Sequence, residues 1–321
     1  MAIPSDNSPA TIATIDVGTN TALLLISKFE DGRLISLYDE TRFVRLGQGV
    51  DKDGFVNAAA MDRLTKTLAY YKGVATQYNV DDIIIGATSA SRDAVNKADL
   101  IAHVRNTTGL TYDIISGETE AQLSFAGVGA GQTVPHPAIL TLDIGGGSTE
   151  FSLGLFENGT YNLSQAQSLN VGSVRLTERF FSALPPDRDM LTQAKDWLSN
   201  ELEALLPEFQ RTAAVLIGAS GTTTVLAMLD AKLTKADLKN ISMLGQLSRE
   251  QVGQWYEQLI QLPAEEVLAL GPEFMKGRED VFAAGLFILH TCMTHLDKPQ
   301  LHVNTWGLRH GLALRYWQQQ G

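Results

Sequence analysis

LDIGGGST at residues 142–149 and IDVGTNT at residues 15–21 are two versions of one pattern. In each stretch an aspartate ends an apolar segment, a glycine turn and a hydroxyl or amide residue follow, and a second apolar segment begins. This order is typical of a β-hairpin with a polar tip. Because the pattern occurs twice, the sequence predicts a duplicated fold in which two such hairpins face each other.

Short β-branched segments alternate along the chain with amphipathic ones, which predicts an α/β fold. The predicted strands are TIATIDV (11–17), TALLLIS (21–27), DIIIGA (82–87), TYDIIS (111–116), AILTLDI (138–144), EFSLGLF (150–156), AAVLIG (213–218) and LHVN (301–304). Between two of them Leu64, Leu68, Tyr71, Ala75 and Tyr78 recur at spacings of four and three. This spacing predicts one buried face of a helix.

The length of 321 residues predicts two domains of ordinary size. The glycine- and proline-containing residues 127–137 lie between the two halves and are the best candidate for a crossover or hinge. We therefore expect a first domain at 1–128 and a second at 129–321. A C-terminal helix at about 305–321 is expected to pack back on the first domain.

The chain is acidic, with 25 Lys and Arg against 36 Asp and Glu and a net charge of −11. This sign opposes general nucleic-acid binding through phosphate neutralisation, so a polyanionic substrate would need a local basic patch. Cys292 is the only cysteine, which excludes an intrachain disulfide and predicts a small core residue. The opening MAIPSDNSPA lacks the basic start and apolar stretch of a signal peptide, so we expect a cytoplasmic protein without a membrane partner.

The glycine turn of the second hairpin is the first candidate site. Gly145, Gly146 and Gly147 leave their N–H groups unshielded, and consecutive N–H groups in a turn form a nest for anions. Ser148 adds a hydroxyl donor. The plainer alternative is a tight turn that needs positive φ, which explains one or two glycines but not three in a row beside an aspartate.

Asp16 and Asp143 occupy matching places at the ends of the two hairpin strands. Paired carboxylates bridged to phosphate are a usual way of holding Mg²⁺, so the pair predicts a Mg²⁺ or Mn²⁺ site. The alternative is that each aspartate caps its own turn. Thr19 and Asn20 at the tip of the first hairpin are candidate phosphate ligands beside them.

Two further clusters follow predicted strands. Arg92, in a hydroxyl-rich segment that opens a helix, could bind a phosphate group bidentately, or it could be a surface arginine beside an ordinary N-cap. Glu118 and Glu120 open the next apolar helix, and only one of them can face a cleft. A carboxylate near phosphate and metal suits the role of general base, but the residues themselves do not decide which one.

A third glycine turn at residues 218–223 again follows a strand and precedes a helix. Gly221 and Thr222 could offer N–H groups to a phosphate or a nucleotide, although the turn alone is a weak signal. His302 and His310 are unlike any zinc constellation, and we interpret both as structural.

An ordered set of motifs resembles the bacterial exopolyphosphatase and guanosine pentaphosphate phosphohydrolase family, within the actin-like superfamily. The motifs are IDVGTNTALLLI (15–26), ATSASRDA (87–94), IISGETEAQLSFAGV (114–128), LDIGGGSTEF (142–151), NVGSVRLTERF (170–180), LIGASGTT (216–223) and NTWGLRHGLAL (304–314). The resemblance implies two duplicated actin-like, ribonuclease H-like α/β domains with a cleft between them. It covers nearly the whole chain.

The resemblance also implies roles for site residues. Glu120 becomes the base that activates water, and Glu150 assists near the water or the metal. Arg92 clamps the scissile phosphate, residues 145–148 cradle it, and Asp16 and Asp143 hold the metal.

The implied activity is release of terminal phosphate from inorganic polyphosphate, guanosine pentaphosphate, or both. Alternatives are a weakly catalytic sensor of these compounds and an ATP-dependent small-molecule kinase on the same fold. Longer family members continue into a helical domain beyond the point where this chain stops, which favours short substrates. The chain departs from the family pattern at Trp306 and His310. We expect no specific nucleic-acid partner, and the sequence leaves a homodimer open.

Overall fold

Two mixed β-sheets form the framework of the computed structural model, which describes residues 10–181, 183–205, 207–238 and 241–320. The strands are β1 (Thr11–Val17), β2 (Thr21–Glu30), β3 (Arg33–Phe43), β4 (Asp82–Ala87), β5 (Asp113–Ile114), β6 (Ala138–Ile144), β7 (Thr149–Glu157), β8 (Thr160–Leu169), β9 (Val215–Gly218), β10 (Met243–Ser248) and β11 (Gln300–Asn304). The first sheet has the order β3-β2-β1-β4-β5, and the second has the order β10-β11-β9-β6-β7-β8. Residues 1–9, on which the expectation about a signal peptide rests, lie outside the described residues.

Each sheet contains the predicted hairpin, and this confirms the internal duplication. Strands β1 and β2 pair antiparallel, and so do β6 and β7. A parallel neighbour lies on the other side of each first strand, β4 beside β1 and β9 beside β6. The parallel pairs place the carboxyl ends of β1, β4, β6 and β9 at the edges where the two domains meet.

Helices connect the strands and cover the sheets. They are α1 (Val50–Asp53), α2 (Ala58–Gln77), α3 (Ser89–Asp93), α4 (Lys97–Thr108), α5 (Gly117–Ala130), α6 (Ser173–Phe180), α7 (Arg188–Glu203), α8 (Pro207–Arg211), α9 (Gly221–Ala231), α10 (Arg249–Leu259), α11 (Ala264–Ala269), α12 (Pro272–Met275), α13 (Phe282–His295) and α14 (Leu308–Gln320). A short 3₁₀ helix spans Lys235–Leu238. None of the helices in the described ranges has the length and apolar character needed to cross a membrane.

The predicted apolar face of α2 covers the first sheet. Leu64, Leu68, Tyr71 and Ala75 are buried in its core, as the spacing predicts. The prediction is wrong for Tyr78, because α2 ends at Gln77 and Tyr78 stays 37% exposed. Cys292 is a buried core residue of the second domain, which confirms its predicted place.

The second face of each sheet is covered by a helix from the other half of the chain. Phe125 and Val128 of α5, which follows the first sheet, pack with Ile139 and Ile217 of the second sheet. Helix α14, which follows the second sheet, packs against β1 and β2 of the first. The two halves are therefore interlocked by exchanged helices, although the predicted boundary near residue 128 stays a prediction.

Helices α5 and α14 cross in direct backbone contact. A Cβ atom placed on Gly127 would lie 3.0 Å from the carbonyl carbon of Gly307, and one on Gly311 would lie 2.6 Å from that of Leu123. The prediction of a crossover or hinge at residues 127–137 is wrong for its first part, because residues 127–130 form the last turn of α5. Gly127 allows the close packing of α5 against α14. The connection from α5 to β6 consists of residues 131–137.

Candidate active site

The two hairpins place their aspartates at the same cleft. Asp16 is the last but one residue of β1, and Asp143 holds the same place in β6, where it pairs with Glu150 of β7. Burial raises the pKa of Asp16 well above its usual range, and the charges of Glu120 and Asp143 raise it further. The electrostatic coupling shows that carboxylates from both domains share one site.

Four carboxylates make up this cluster: Asp16, Glu120, Asp143 and Glu150. Burial raises the pKa of Glu120 to about 7 even though Arg92 lowers it, and burial raises the pKa of Asp143 to about 6. The pKa of Glu150 is raised well above the usual range by burial and by the charges of Glu120 and Asp143. The cluster is therefore short of positive charge.

Helix α5 decides which of its two glutamates reaches the cluster. The Ser116 side chain accepts a hydrogen bond from Thr119 N and starts the helix. Residues two apart on a helix lie about 200° apart around its axis. Glu120 is accordingly buried, at 9% exposure, whereas Glu118 is exposed. The structure thus separates the two carboxylates that the residues alone left equivalent.

Specific donors hold two of the carboxylates. Arg92 Nη1 donates to Glu120 Oε2 at 3.0 Å and to the carbonyl of Ile115 at 3.0 Å. Ser124 Oγ, one helical turn beyond Glu120, donates to Asp143 Oδ2 at 2.6 Å. Sequence analysis did not single out Ser124, although its i+4 spacing from Glu120 places both on one face of α5 and could have indicated it.

A third carboxylate, that of Glu150, is held from the neighbouring strand. Ser168 Oγ, near the end of β8, donates to Glu150 Oε1 at 2.8 Å. Ser148 also hydrogen-bonds the Glu150 side chain, and only 1% of its surface is exposed. The hydroxyl of Ser148, predicted to meet phosphate, is engaged with Glu150 in this structure.

The glycine turn of the second hairpin lies against the first hairpin. A Cβ atom on Gly146 would lie 2.8 Å from Thr19 Cβ, and one on Gly147 would lie 2.9 Å from Thr19 Oγ1. None of residues 145–147 has positive φ, so the alternative based on a strained turn is wrong. These glycines let the two hairpin tips touch.

Ion pairs close the cleft on both sides of the hairpin tips. Arg175 of α6 pairs with Asp51 and Asp93 of the first domain. Arg45 pairs with Asp280 of the second domain at 2.8 Å. The cavity left between the tips is about 20 Å³, room for one water molecule but not for a phosphate group. Phosphate could enter between the tips only if the domains separated.

A larger cavity of about 350 Å³ opens beside Arg92, which binds Glu120. Its wall includes Arg92, Gly117, Glu118, Ser168 and Asn170. Arg92 reaches it with the end of its guanidinium group, since a Cβ atom on Gly117 would lie 3.8 Å from Arg92 Nη2. Arg92 therefore connects Glu120 to a space that can admit a substrate.

A model of the Ppx/GppA phosphatase family matches residues 25–320. The chain belongs to the Ppx/GppA phosphatase family. Its sequence is 32% identical over 318 residues to exopolyphosphatase 2 of Mycobacterium tuberculosis, covering 94% of this chain and 97% of that protein. It is 33% identical over 303 residues to the bifunctional 3-dehydroquinate synthase/phosphatase of Fusobacterium nucleatum, covering 91% of this chain but 44% of that protein.

The fold is shared with solved structures of Ppx/GppA phosphatases. The crystal structure of an exopolyphosphatase from Cytophaga hutchinsonii superimposes with a TM-score of 0.87 at 28% identity, covering 96% of this chain and 98% of that one. This likeness confirms the expected pair of actin-like α/β domains with a cleft between them.

The departures from the Ppx/GppA pattern at Trp306 and His310 pack against each other. Their rings stack at 4.6 Å with an interplanar angle of 8°. His310 is buried, its Nδ1 accepts from Gly307 N, and burial and the charge of Arg309 hold its pKa well below the usual range. The neutral, stacked ring supports the interpretation of His310 as structural.

Arg309 is the charged residue that sequence analysis missed. It donates to Asp39 Oδ2 from Nη2 at 2.7 Å and from Nε at 3.1 Å. Its charge also lowers the pKa values of Asp16 and Asp143. No local pattern marks this role, because Arg309 reaches the cluster from α14.

Three predicted phosphate ligands make other contacts in this structure. Asn20 Nδ2 donates to the carbonyl of Gly277 at 3.2 Å. Gly221 starts α9, and the Thr222 side chain packs against Gly285 of α13, where a Cβ atom would meet Thr222 Oγ1 at 2.8 Å. The Thr222 hydroxyl therefore faces the second domain's core and not the cleft, and its role in binding stays a prediction.

The fit of a divalent cation can be judged from the carboxylates. Within the described ranges, no three His, Cys, Asp or Glu side chains are arranged to hold a metal ion on their own. Mg²⁺ in phosphoryl-transfer sites is commonly held by one or two carboxylates together with substrate phosphates. Asp16 and Asp143 supply the two carboxylates that such a site requires. Their raised pKa values indicate that the site lacks positive charge. The residues fit Mg²⁺ or Mn²⁺ bound jointly with phosphate.

Proposed function

We propose that this protein releases terminal phosphate from inorganic polyphosphate, from guanosine pentaphosphate, or from both. The observation that carries the proposal is a buried Glu120 with a pKa near 7, bonded to Arg92 at the wall of a cavity and coupled to Asp143. Relatives that match most of the chain are named exopolyphosphatases, which supports polyphosphate as a substrate. Location in the cytoplasm and a homodimer stay predictions.

Glu120 is the proposed general base. Arg92 binds its Oε2, which leaves Oε1 to accept a proton from water. A base is most effective when its pKa lies near the working pH, and burial brings the pKa of Glu120 to that range. The water oxygen attacks the terminal phosphorus, the bond to the bridging oxygen breaks, and that oxygen leaves with the shortened chain.

The other polar groups hold the phosphate and offset its charge. Arg92 Nη2 faces the cavity and can donate to a terminal phosphate oxygen. Asp16 and Asp143 would hold Mg²⁺ or Mn²⁺, which would neutralise the phosphate oxygens and polarise the phosphorus. The N–H groups of residues 145–147 become available to phosphate when the hairpin tips separate. Phosphoryl transfer needs mainly such positioning and charge neutralisation.

Glu150 is proposed to act as a neutral acid. Burial and the charges of Glu120 and Asp143 raise its pKa, which favours the protonated form, and in that form it would donate a hydrogen bond toward the water or the phosphate without adding a negative charge. Ser168 holds its orientation from β8.

The decisive experiment compares Glu120→Gln with Glu118→Gln. Glutamine keeps the shape of the side chain and removes its basicity, so Glu120→Gln should lower kcat by about 10²–10⁴-fold, the range for a lost acid–base group, and leave substrate binding nearly intact. Glu118→Gln should turn over tripolyphosphate at the wild-type rate, because Glu118 is exposed.

Phosphate release should be measured with polyphosphate, guanosine pentaphosphate and ATP side by side, and binding should be measured separately. Normal turnover by Glu120→Gln with an inactive Glu118→Gln would assign the base to the other carboxylate. Normal turnover by both variants would overturn the mechanism. Binding without turnover of any substrate by the wild type would favour a sensor.

A further inference from the structure

The Arg175 guanidinium group joins the glycine turn of the second domain to two aspartates of the first. Its Nε donates to the carbonyl of Gly147 at 2.9 Å. Its Nη2 donates to Asp93 Oδ2 at 2.6 Å, and its Nη1 donates to Asp51. The first contact lies within the second domain, whereas the other two cross the cleft. Separation of the domains would therefore break both contacts to aspartate and keep the contact to Gly147.

Helix α6, which carries Arg175, sets the direction of the whole glycine turn. The N–H groups of residues 173–175 donate to the carbonyls of Gly145 and Gly146 at 2.8–3.1 Å. Together with the Arg175 side chain, the start of α6 thus binds all three carbonyls of residues 145–147. In a trans peptide the N–H points opposite to the C=O. The N–H groups that follow these carbonyls therefore point away from α6, which leaves them for an anion.

The end of the guanidinium group lies where phosphate would enter between the hairpin tips. Arg175, Asp51, Asp93 and Gly147 all belong to the wall of the cavity of about 20 Å³ at that place. When the domains separate, the two Nη atoms lose their acceptors but stay beside the glycine turn. A guanidinium fork fits two oxygens of a phosphate group as well as it fits a carboxylate. A phosphate group bound at the turn could thus replace the two aspartates.

Asp93 is the carboxylate whose effect on Arg175 can be tested alone. Asp51 also pairs with Arg179 of α6, at 2.6 Å, so a change of Asp51 disturbs two arginines. Within the described ranges, Arg175 is the one cation that pairs with Asp93, and Ser89 Oγ of the same domain donates to Asp93 Oδ2 at 3.2 Å. Asp93→Asn therefore loosens Arg175 and leaves Arg179 in place.

We propose that Arg175 is a phosphate-binding residue, which Asp51 and Asp93 occupy while the cleft is closed and which a phosphate group takes over when the domains separate. The phosphate is either free orthophosphate or the terminal group of a polyphosphate chain. This role of Arg175 rests on the proposed function for the choice of ligand, although binding itself needs no turnover. The two aspartates act as internal competitors, because the apparent affinity falls with the fraction of molecules in which Arg175 is free.

Calorimetric titration of the full chain with orthophosphate and with tripolyphosphate, without divalent cations, tests this role. Arg175→Met removes the charge and all donors, so it should weaken binding by about 10- to 100-fold, as loss of a charge-assisted hydrogen bond does. Asp93→Asn should strengthen binding by about 2- to 5-fold, the strength of one partly exposed ion pair. Asp53→Asn is the matched control, because Asp53 is an exposed acid in the same helix as Asp51. It should bind as the wild type does.

The double variant Arg175→Met/Asp93→Asn separates competition for Arg175 from simple repulsion between Asp93 and phosphate. If Asp93 competes, most of the gain from Asp93→Asn should disappear in the Arg175→Met background. An equal or larger gain in that background means that Asp93 acts by repulsion alone, and it overturns the proposal. Unchanged binding of both ligands by Arg175→Met overturns it as well.

The two ligands separate the two sources of phosphate. Weaker binding of orthophosphate by Arg175→Met identifies a site for free phosphate, and weaker binding of tripolyphosphate alone identifies a site for the terminal group of a chain. Hydrolysis of polyphosphate is measured separately. A wild type that binds through Arg175 and hydrolyses nothing would refute the proposed function alone, whereas hydrolysis with unchanged binding by Arg175→Met would refute the role of Arg175 alone.

Thermal unfolding shows whether each variant keeps its fold. Arg175→Met leaves Asp93 without its arginine, so its Tm should fall, and orthophosphate should raise the Tm of the wild type more than that of the variant. If Arg175→Met does not fold, Arg175→Lys keeps the charge but loses the fork. Arg175→Lys should weaken orthophosphate binding by about 2- to 10-fold, and unchanged binding would overturn the proposal.

Discussion

Alanine at the crossing of α5 and α14 should destabilise the protein, whereas alanine at an exposed glycine should stabilise it. The first change is Gly311→Ala, where the new Cβ would lie 2.6 Å from the carbonyl carbon of Leu123. The matched control is Gly73→Ala in the middle of α2, where a Cβ atom meets nothing within 4 Å. Both glycines lie in helices without positive φ, so both substitutions gain the same helix propensity.

The structure sets the expected magnitudes. Real Cβ contacts essentially never fall below 3.0 Å, and the atom that Gly311→Ala meets is backbone, which no rotamer change can move away. Overpacking of this kind typically destabilises by about 1–3 kcal/mol, and we expect the upper part of that range or more. Gly73→Ala should instead stabilise by about 0.5–1 kcal/mol. The two variants should differ by about 3 kcal/mol.

Urea unfolding and phosphate release test this expectation together. Because α5 carries Glu120 and Ser124, a shift of α5 away from α14 should also lower kcat for Gly311→Ala, while Gly73→Ala keeps the wild-type rate. The reasoning would be refuted if Gly311→Ala were as stable as Gly73→Ala. In that case the helices would not cross in backbone contact.

Three other expectations concern the metal, the cavity and the ion pairs. Excess chelator should abolish phosphate release, and Asp143→Ala should lower kcat more than Glu118→Ala does; full activity in chelator would exclude the metal role. Glu118→Gln removes a carboxylate from the cavity wall, so it should raise kcat/KM for long polyphosphate by up to about fivefold relative to tripolyphosphate, as one exposed charge allows. Burial raises the pKa of Asp51, but hydrogen bonds and charges from Arg179 and Arg175 lower it more, so the net shift is downward. The ionised Asp51 therefore stabilises the fold above about pH 4, and this stabilisation is lost as the pH falls through the lowered pKa. Thermal unfolding of Asp51→Asn should accordingly depend less on pH below pH 4 than unfolding of the wild type, and an equal dependence would contradict the ion pairing.

The central strands were predictable because each is bounded by polar turns and carries a compact apolar pattern. The predicted limits of β1, β4 and β6 agree with the structure. Strands β3, β8 and β10 were missed, because their outward faces are polar and their sequences, such as RLISLYDETRF, do not form an apolar run. Antiparallel strands with one solvated face often show this weaker signal.

Parts of the candidate site were predictable where the position of a residue in its own strand or helix decides which way its side chain points. The repeated hairpin pattern placed Asp16 and Asp143 at equivalent strand ends, and the structure brings both to one cleft. The same reasoning could show that Glu118 and Glu120 point in different directions, but not which of them points inward. That depends on the face of α5 that packs on the second sheet, through Phe125 and Val128.

The electrostatics of the site could not be predicted, because they arise from the exchange of helices between the two halves. Helix α5 follows the first sheet and brings Glu120 and Ser124 to Asp143 of the second. Helix α14 follows the second sheet and brings the charge of Arg309 to Asp16 of the first. The pKa of each aspartate is therefore changed by a helix that follows the other sheet. No local sequence pattern encodes this exchange of helices. Since the four carboxylates come from both sheets and from α5, the complete site forms only when the two domains are docked.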